Sequence, residues 1–268
     1  MYSAGIDMGS RTVKVVFLEE LKVDGAPDLK WGVKGKHIMF PEDLDADEAA
    51  EKAFNEAIEA AGISRDKVTH VVATGAGRKQ VKFATSDVTE VSAGARGAVF
   101  MCPDARTVID VGAEEGRGIK ADNVGKAIDF AGNEKCAAGA GAFAESMSRA
   151  LQLSLKDFGE ASLRSDKTIP MNAQCTVFAE SEVVSLIHSS TPKEDIAKAV
   201  LDAVASRVTA MARRVGIEGD VALIGGMVHN TGFVQSLKAA LGVDQVLLPE
   251  MPEYVSAIGA ALLAAEGK

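Results

Sequence analysis

The sequence predicts an α/β fold, because short β-branched runs typical of buried strands alternate with segments of helical periodicity. Three of these runs end in turns of small residues, which read DMGS at 7–10, DVGA at 110–113 and IGGM at 224–227. Apolar residues make up 47% of the 268 residues and charged residues 25%. That composition is typical of a globular chain rather than of a disordered one.

The chain begins with a predicted strand, tight turn and second strand over residues 2–18, because AGID and VKVVFL flank a glycine turn. A polar stretch with Pro27 and Pro41 is then expected to cross the surface. Over 45–62 the apolar residues recur at helical spacing, and Gly62 stands where a helix C-cap belongs.

The rest of the chain continues the alternation of strands and helices. The predicted strands are 68–73, 107–111 and 221–224, and the predicted helices are 138–151, 178–189, 193–215 and an alanine-rich segment at the end, 255–266. This order argues for an α/β architecture.

The charge balance excludes some partners. The net charge is −9 and aromatic residues are only 5%, whereas nucleic-acid binding needs basic patches and stacking side chains. We find no apolar run of about 18 residues that could cross a membrane. Asp7, Arg11 and Lys14 interrupt the apolar segment that a signal peptide would need. We therefore expect no nucleic-acid or membrane partner, and a cytoplasmic location.

The first turn, Asp7-Met8-Gly9-Ser10, is a candidate phosphate site. Glycine lets the backbone approach a phosphate and present N–H donors, and a strand-end carboxylate suits hydrated Mg²⁺. Lys14 could contact a phosphate. The alternative is a plain hairpin turn without a ligand.

The other two turns extend this pattern. Asp110 and Gly112 repeat the strand-end aspartate followed by glycine, whereas Gly225-Gly226-Met227 has no carboxylate and suits a neutral adenosine. The sequence contains neither G-x-x-x-x-G-K-[ST] nor a strand-linked G-x-G-x-x-G, which argues against P-loop and Rossmann folds.

Two of the three cysteines occupy matched settings. Cys136 in KCAAGAGAF and Cys175 in QCTVFAES each precede a predicted helix, where free N–H groups and the helix dipole favour the thiolate. The alternative is a pair of buried core cysteines. A [4Fe–4S] cluster takes four cysteines, so two per chain predict a cluster completed by a second subunit. Cys102 has no following helix and is interpreted as structural.

Taken in order, GIDMGS, DVGAEEGR and LIGGM resemble the two phosphate loops and the adenosine loop of the actin, sugar-kinase and Hsp70-type ATPases. The resemblance implies two related domains that flank a nucleotide cleft. The first would span 1–103 and the second 104–268, with the last helix, about 255–266, packed back on the first domain.

The same resemblance implies roles for individual residues. Asp7 and Asp110 would position Mg²⁺ and the attacking water, and Glu114 or Glu115 could orient that water. The residues implied around the phosphates are Gly9, Ser10, Arg11, Thr12, Lys14, Gly112 and Ala113. Those implied near adenosine are Gly225, Gly226 and Met227.

The segments KCAAGAGAF, QCTVFAESEV and ATGAGR resemble the ATP-dependent activators of 2-hydroxyacyl-CoA dehydratases and the ATPase subunits of benzoyl-CoA reductase. The resemblance covers essentially the whole chain. It implies ATP and Mg²⁺ as ligands, and a [4Fe–4S] cluster shared between two ATPase subunits through Cys136 and Cys175. ATP hydrolysis would drive an electron to a very low potential.

The chain departs from the dehydratase activators in two places, and the first of these favours a benzoyl-CoA reductase subunit. The second loop reads DVGAEEGR where the activators have two glycines, glutamine and aspartate, and GAGAF replaces their Gly-Thr-Gly-Arg-Phe. The first departure resembles the smaller ATPase subunit of the reductase. That interpretation implies a larger homologous ATPase subunit, acyl-CoA-binding subunits and ferredoxin as partners, with benzoyl-CoA reduced to a cyclic dienoyl-CoA.

Three alternatives remain open. The nearest is a homodimeric activator of a 2-hydroxyacyl-CoA dehydratase. A small-molecule kinase of the same fold would leave both cysteines without a role. A filament or scaffold protein that binds ATP structurally is the third.

Overall fold

The computed structural model describes residues 1–21, 30–41, 44–132, 141–171 and 176–267. The chain divides into two compact units. Unit 1 comprises Met1–Pro103, Ala121–Ala127 and Glu253–Lys268, and unit 2 comprises Asp104–Lys120 and Ile128–Pro252. Residues 121–127, which the sequence places in the second predicted domain, belong to unit 1.

Strands and helices alternate along the described residues. The strands are β1 (Tyr2–Met8), β2 (Val13–Leu21), β3 (Lys30–Met39), β4 (Val68–Thr74), β5 (Ser86–Asp87), β6 (Ala105–Val111), β7 (Gly116–Ala121), β8 (Ala127–Gly132) and β9 (Asp220–Ile224). The helices are α1 (Ala46–Ala61), α2 (Glu90–Met101), α3 (Gly141–Ala150), α4 (Leu155–Ser162), α5 (Thr176–His188), α6 (Lys193–Val215), α7 (Thr231–Leu241) and α8 (Val255–Ala265). The predicted α/β class is confirmed.

The sheet of unit 1 has the strand order β3-β2-β1-β4-β5. β1 and β2 form an antiparallel hairpin, and β4 joins β1 in parallel. The prediction of a surface stretch after β2 is wrong for residues 30–39, which form β3 and pair with β2. β3 lies at the sheet edge and exposes Lys34 and Lys36, so its polar composition resembles that of a loop.

Helix α1 forms where the periodicity predicts it. The Asp45 side chain accepts hydrogen bonds from the first-turn amides of Asp47 and Glu48, and Gly62 ends the helix in the left-handed conformation. Phe54 on its buried face contacts Phe17 of β2, with ring centroids 5.3 Å apart. These contacts fix α1 against the sheet.

Helix α8 packs on the sheet of unit 1 and against α2 through small residues. A β-carbon at Gly5 of β1 would lie 1.9 Å from the Ala257 carbonyl oxygen, and one at Gly97 of α2 would lie 2.0 Å from that of Val255. Glycine at both positions therefore lets α8 approach β1 and α2 at backbone distance.

The sheet of unit 2 has the order β8-β7-β6-β9. It repeats the local arrangement of unit 1, because β6 and β7 form an antiparallel hairpin and β9 joins β6 in parallel. Its core combines strands β6 and β9 with helices α3, α4, α5, α6 and α7. The largest fully buried side chains in these helices include Phe143, Met147, Phe158, Ile196 and Phe233.

Candidate functional site

The hairpin turn between β1 and β2 holds the first predicted site. The Gly9 amide donates to the Thr12 carbonyl at 3.0 Å and closes the turn. Asp7 and Lys14 face each other in the strand register, and the Lys14 Nζ lies 2.9 Å from Oδ2 of Asp7. Both side chains are largely buried, so this ion pair fixes the orientation of the carboxylate. Lys14, predicted to contact a phosphate, holds Asp7 in this structure.

The hairpin turn between β6 and β7 has the same construction. The Gly112 amide donates to the Glu115 carbonyl at 2.9 Å. Asp110 faces Arg117 in the register, with 3.2 Å between Nη1 of Arg117 and Oδ2 of Asp110. Arg117 also pairs with the carboxylate of Glu115. One guanidinium therefore connects the strand-end aspartate with one of the two predicted water-orienting glutamates.

The remaining residues of both turns differ in exposure. Ser10 and Arg11 are exposed and Thr12 is half-buried, whereas Glu114 and Glu115 are both exposed. Ala113 is half-buried. The roles given to these residues by the resemblance remain predictions.

The third predicted turn follows β9. Gly225 has a φ of +92° and its amide donates to the Pro252 carbonyl at 2.9 Å, while Met227 is buried. Gly226 has open space around its α-carbon, since a β-carbon there would meet nothing within 4 Å. The adenosine-binding role of this turn also remains a prediction.

Helix α3 begins directly on the second turn. The Gly141 amide donates to the Gly112 carbonyl at 2.9 Å, and the Ala142 amide donates to the Ala113 carbonyl at 2.7 Å. The first-turn amides of the helix thus find partners in the turn. The start of α3 is therefore hydrogen-bonded to the second turn.

A fourth glycine turn, which follows β4, is not among the predicted site segments, although its sequence carries part of the family resemblance. The Gly77 amide donates to the Met8 carbonyl at 2.9 Å, next to Asp7. Thr74 faces Asp7 in the parallel register, is fully buried, and has a hydroxyl without a hydrogen-bond partner. The available signal was ATGAGR, a strand followed by glycine, as at IGGM. The role of Arg117 could not be predicted, because its pairing with Asp110 depends on the register between β6 and β7.

The two predicted cluster cysteines lie outside the described residues, Cys136 within 133–140 and Cys175 within 172–175. The helices predicted to follow them are present as α3 and α5. Burial raises the pKa of the Cys102 thiol, which favours the neutral form at that site.

Within the described residues, no group of three or more His, Cys, Asp or Glu side chains is placed to hold a metal ion. Asp7 and Asp110 each offer one carboxylate beside a glycine turn. A β-carbon at Gly112 would meet only the Glu115 carbonyl oxygen, at 3.6 Å, whereas one at Gly9 would lie 3.2 Å from the Thr12 carbonyl oxygen. Each carboxylate, taken by itself, is the kind of donor that fits Mg²⁺ when the other ligands come from phosphate and water. The described helices also include none long and apolar enough to cross a membrane.

Similarity to known proteins extends over the whole chain. The activator of lactoyl-CoA dehydratase from Anaerotignum propionicum is 36% identical over 269 residues, which cover 99% of this chain and 98% of that protein. A benzoyl-CoA reductase subunit from Thauera aromatica is 31% identical, with 97% and 92% covered. The lactoyl-CoA dehydratase activator is thus more similar to this chain than the reductase subunit is.

Solved structures agree with these sequence comparisons. Component A of the (R)-2-hydroxyglutaryl-CoA dehydratase from Acidaminococcus fermentans superposes with a TM-score of 0.90 at 34% identity, covering 100% of this chain and 98% of that one. A hexokinase from Thermus thermophilus, at 14% identity and a TM-score of 0.55 over 100% and 99% of the two chains, shares the fold alone. The fold is therefore that of the actin, sugar-kinase and Hsp70-like ATPases. The sequence model of the BadF/BadG/BcrA/BcrD ATPase family matches residues 4–264, and the chain belongs to that family.

Proposed function

We propose that this chain is the ATP-dependent activator of a 2-hydroxyacyl-CoA dehydratase and works as a homodimer. The observation that carries the proposal is the similarity over nearly the full length to an activator of lactoyl-CoA dehydratase, at 36% identity. Within the chain, support comes from two strand-end aspartates held in the same way in two glycine turns. The comparisons favour this alternative over the benzoyl-CoA reductase interpretation.

In this proposal each hairpin turn binds phosphate groups of a nucleotide. Each turn brings its backbone close to phosphate, at Gly9 or at Gly112. Its strand-end aspartate, Asp7 or Asp110, would orient water or Mg²⁺, because positioning governs phosphoryl transfer. Bound Mg²⁺ supplies charge neutralisation. Lys14 and Arg117 hold the two carboxylates at fixed angles, so that little reorganisation is needed when nucleotide binds.

Cys136 and Cys175 would hold a [4Fe–4S] cluster together with the same two cysteines of a second copy. The proposal is supported by the matched settings of these cysteines before α3 and α5 and by the family to which the chain belongs. When bound, the cluster supplies a single low-potential electron. The partner enzyme would be a dehydratase whose acyl-CoA substrate binds outside this chain.

A second candidate function is the smaller ATPase subunit of benzoyl-CoA reductase. It is favoured by one feature, the Ala113-Glu114-Glu115 sequence of the second turn, and by the 31% identity to the reductase subunit from Thauera aromatica. In this case the cluster would be shared with a larger homologous subunit, acyl-CoA-binding subunits would complete the enzyme, and ferredoxin would donate the electron.

The decisive experiment is anaerobic purification of the chain expressed alone, followed by native mass measurement and by iron and sulfide analysis. We expect a dimer of identical chains with about four irons per dimer, which hydrolyses ATP and activates a 2-hydroxyacyl-CoA dehydratase. A monomer that acquires iron only with a larger homologous subunit would support the reductase instead. An iron-free protein that phosphorylates a small molecule would contradict both.

A further inference from the structure

Gly75 lies directly against the Asp7 carboxylate. It follows β4 with a φ of +92°, and a β-carbon at this position would lie 2.4 Å from the Met8 carbonyl oxygen and 2.7 Å from Oδ1 of Asp7. Both distances are far below van der Waals contact. An L side chain at position 75 would therefore be strained in its backbone and would displace the carboxylate.

Gly225 makes the equivalent contact in unit 2. It also has a φ of +92°, and a β-carbon there would lie 2.4 Å from the Val111 carbonyl oxygen and 3.0 Å from Oδ1 of Asp110. Each glycine follows the residue that faces the aspartate across a parallel pair of strands, Thr74 for Asp7 in unit 1. Two separate chain segments thus place a left-handed glycine against a strand-end aspartate.

We propose that Gly75 and Gly225 are positioning residues, which set the angle of the Asp7 and Asp110 carboxylates for Mg²⁺-nucleotide. The inference rests on the proposed function, since it assigns these carboxylates to bound nucleotide. Lys14 or Arg117 pairs with Oδ2 of each aspartate, and the glycine backbone leaves no room for a β-carbon beside Oδ1. The ion pair and the close glycine backbone together restrict the orientation of each carboxylate.

The glycines are themselves held in place. The Gly75 carbonyl accepts hydrogen bonds from the Arg78 guanidinium at 3.1 Å and from the Arg78 amide at 3.2 Å. The Gly225 amide donates to the Pro252 carbonyl at 2.9 Å. Because each glycine is fixed by its own bonds, an added β-carbon would move the aspartate or its strand rather than find free space.

The test compares Gly75→Ala with Gly62→Ala, and Gly225→Ala with Gly242→Ala. The control glycines also have positive φ, at +63° and +76°, but a β-carbon there meets nothing within 4 Å. All four variants carry backbone strain, so all should lose thermal stability.

The readout is the Mg²⁺ concentration at which the affinity for ADP reaches half of its value at saturating Mg²⁺. It is measured by calorimetry on the full chain. We expect Gly75→Ala and Gly225→Ala to raise it about tenfold or more, as misplacement of a positioned group does. The two controls should leave it unchanged. In an Asp7→Asn background, Gly75→Ala should have no further effect on it, because the glycine acts through that carboxylate.

A second variant keeps the glycine in place, in case Gly75→Ala does not fold. Arg78→Met removes the guanidinium bond to the Gly75 carbonyl and should shift the Mg²⁺ dependence in the same direction. Asp87→Asn weakens the ion pair between Arg78 and Asp87 and should leave the Mg²⁺ dependence unchanged. The inference is overturned if the Gly75 and Arg78 variants match their controls while the wild type binds Mg²⁺-ADP. A wild type that binds no nucleotide would instead overturn the proposed function.

Discussion

The Arg117 guanidinium lies 3.2 Å from the Asp110 carboxylate and occupies the place that Lys14 occupies beside Asp7 in the other unit. In both hairpins the cation faces the aspartate across the antiparallel register. Arg117 also pairs with Glu115, a contact for which the first turn has no counterpart in sequence. The two turns thus share a framework and differ in the acidic residues that this framework orients.

We expect Arg117→Met to lower the free energy of unfolding by about 2 kcal/mol, because it leaves a largely buried carboxylate without its charged donor. ATP turnover should fall as well, and Arg117→Lys should recover part of both losses. Chemical denaturation and phosphate release measure the two effects. Lys120→Met on the same strand is the control, since its partner Glu218 is well exposed and the pair should contribute less than about 1 kcal/mol. Equal losses in the two Met variants would contradict the prediction.

Asp7→Asn should reduce Mg²⁺-dependent ATP turnover by about 10²-fold, the order of loss when one electrostatic stabilising group is removed. The fold should persist, because the amide is isosteric and can still accept from Lys14. Phosphate release and circular dichroism check the two parts of the expectation. Asp166→Asn, at a carboxylate whose side chain is 94% exposed, provides the matched control. Unchanged turnover in Asp7→Asn would remove this residue from the site.

Cys136→Ser and Cys175→Ser should each abolish the iron content of the anaerobic protein. Nucleotide affinity should be retained, because the turns proposed to bind nucleotide belong to other chain segments. Iron and sulfide analysis and calorimetry with ADP measure these properties. Cys102→Ser should keep its iron, since burial raises the pKa of that thiol and disfavours the thiolate. Retention of iron in either of the first two variants would count against the assigned ligands.

Nucleotide binding should slow amide hydrogen exchange in α3, because the first amides of this helix donate to the carbonyls of Gly112 and Ala113. Ala142→Pro removes one of these donors at a position in the first turn where proline is tolerated, and should weaken the protection that ADP confers. Ala142→Ser retains the N–H group and should behave as the wild type does. Exchange followed by mass spectrometry would reveal whether α3 responds at all.

The elements whose signals are local could be predicted from the amino-acid sequence. The helix at α1 follows from apolar spacing between a capping Asp45 and Gly62, and the glycine turns after β1, β6 and β9 follow from small residues at the ends of buried strands. The candidate aspartates Asp7 and Asp110 could be identified in the same way. The family could also be recognised from short motifs. For the partner enzyme the motifs favoured benzoyl-CoA reductase, whereas the comparisons favour a 2-hydroxyacyl-CoA dehydratase.

The contacts between distant segments could not be predicted in this way, because they depend on the folded chain. The edge strand β3, the pairing of Asp110 with Arg117 and the contact of Gly75 with Asp7 all depend on strand register or on parallel pairing. No periodicity within one segment encodes these contacts, because they depend on backbone groups from segments that are separated along the chain. Sequence therefore predicted the carboxylates, whereas the fold determined which lysine, arginine and glycine hold them in one orientation.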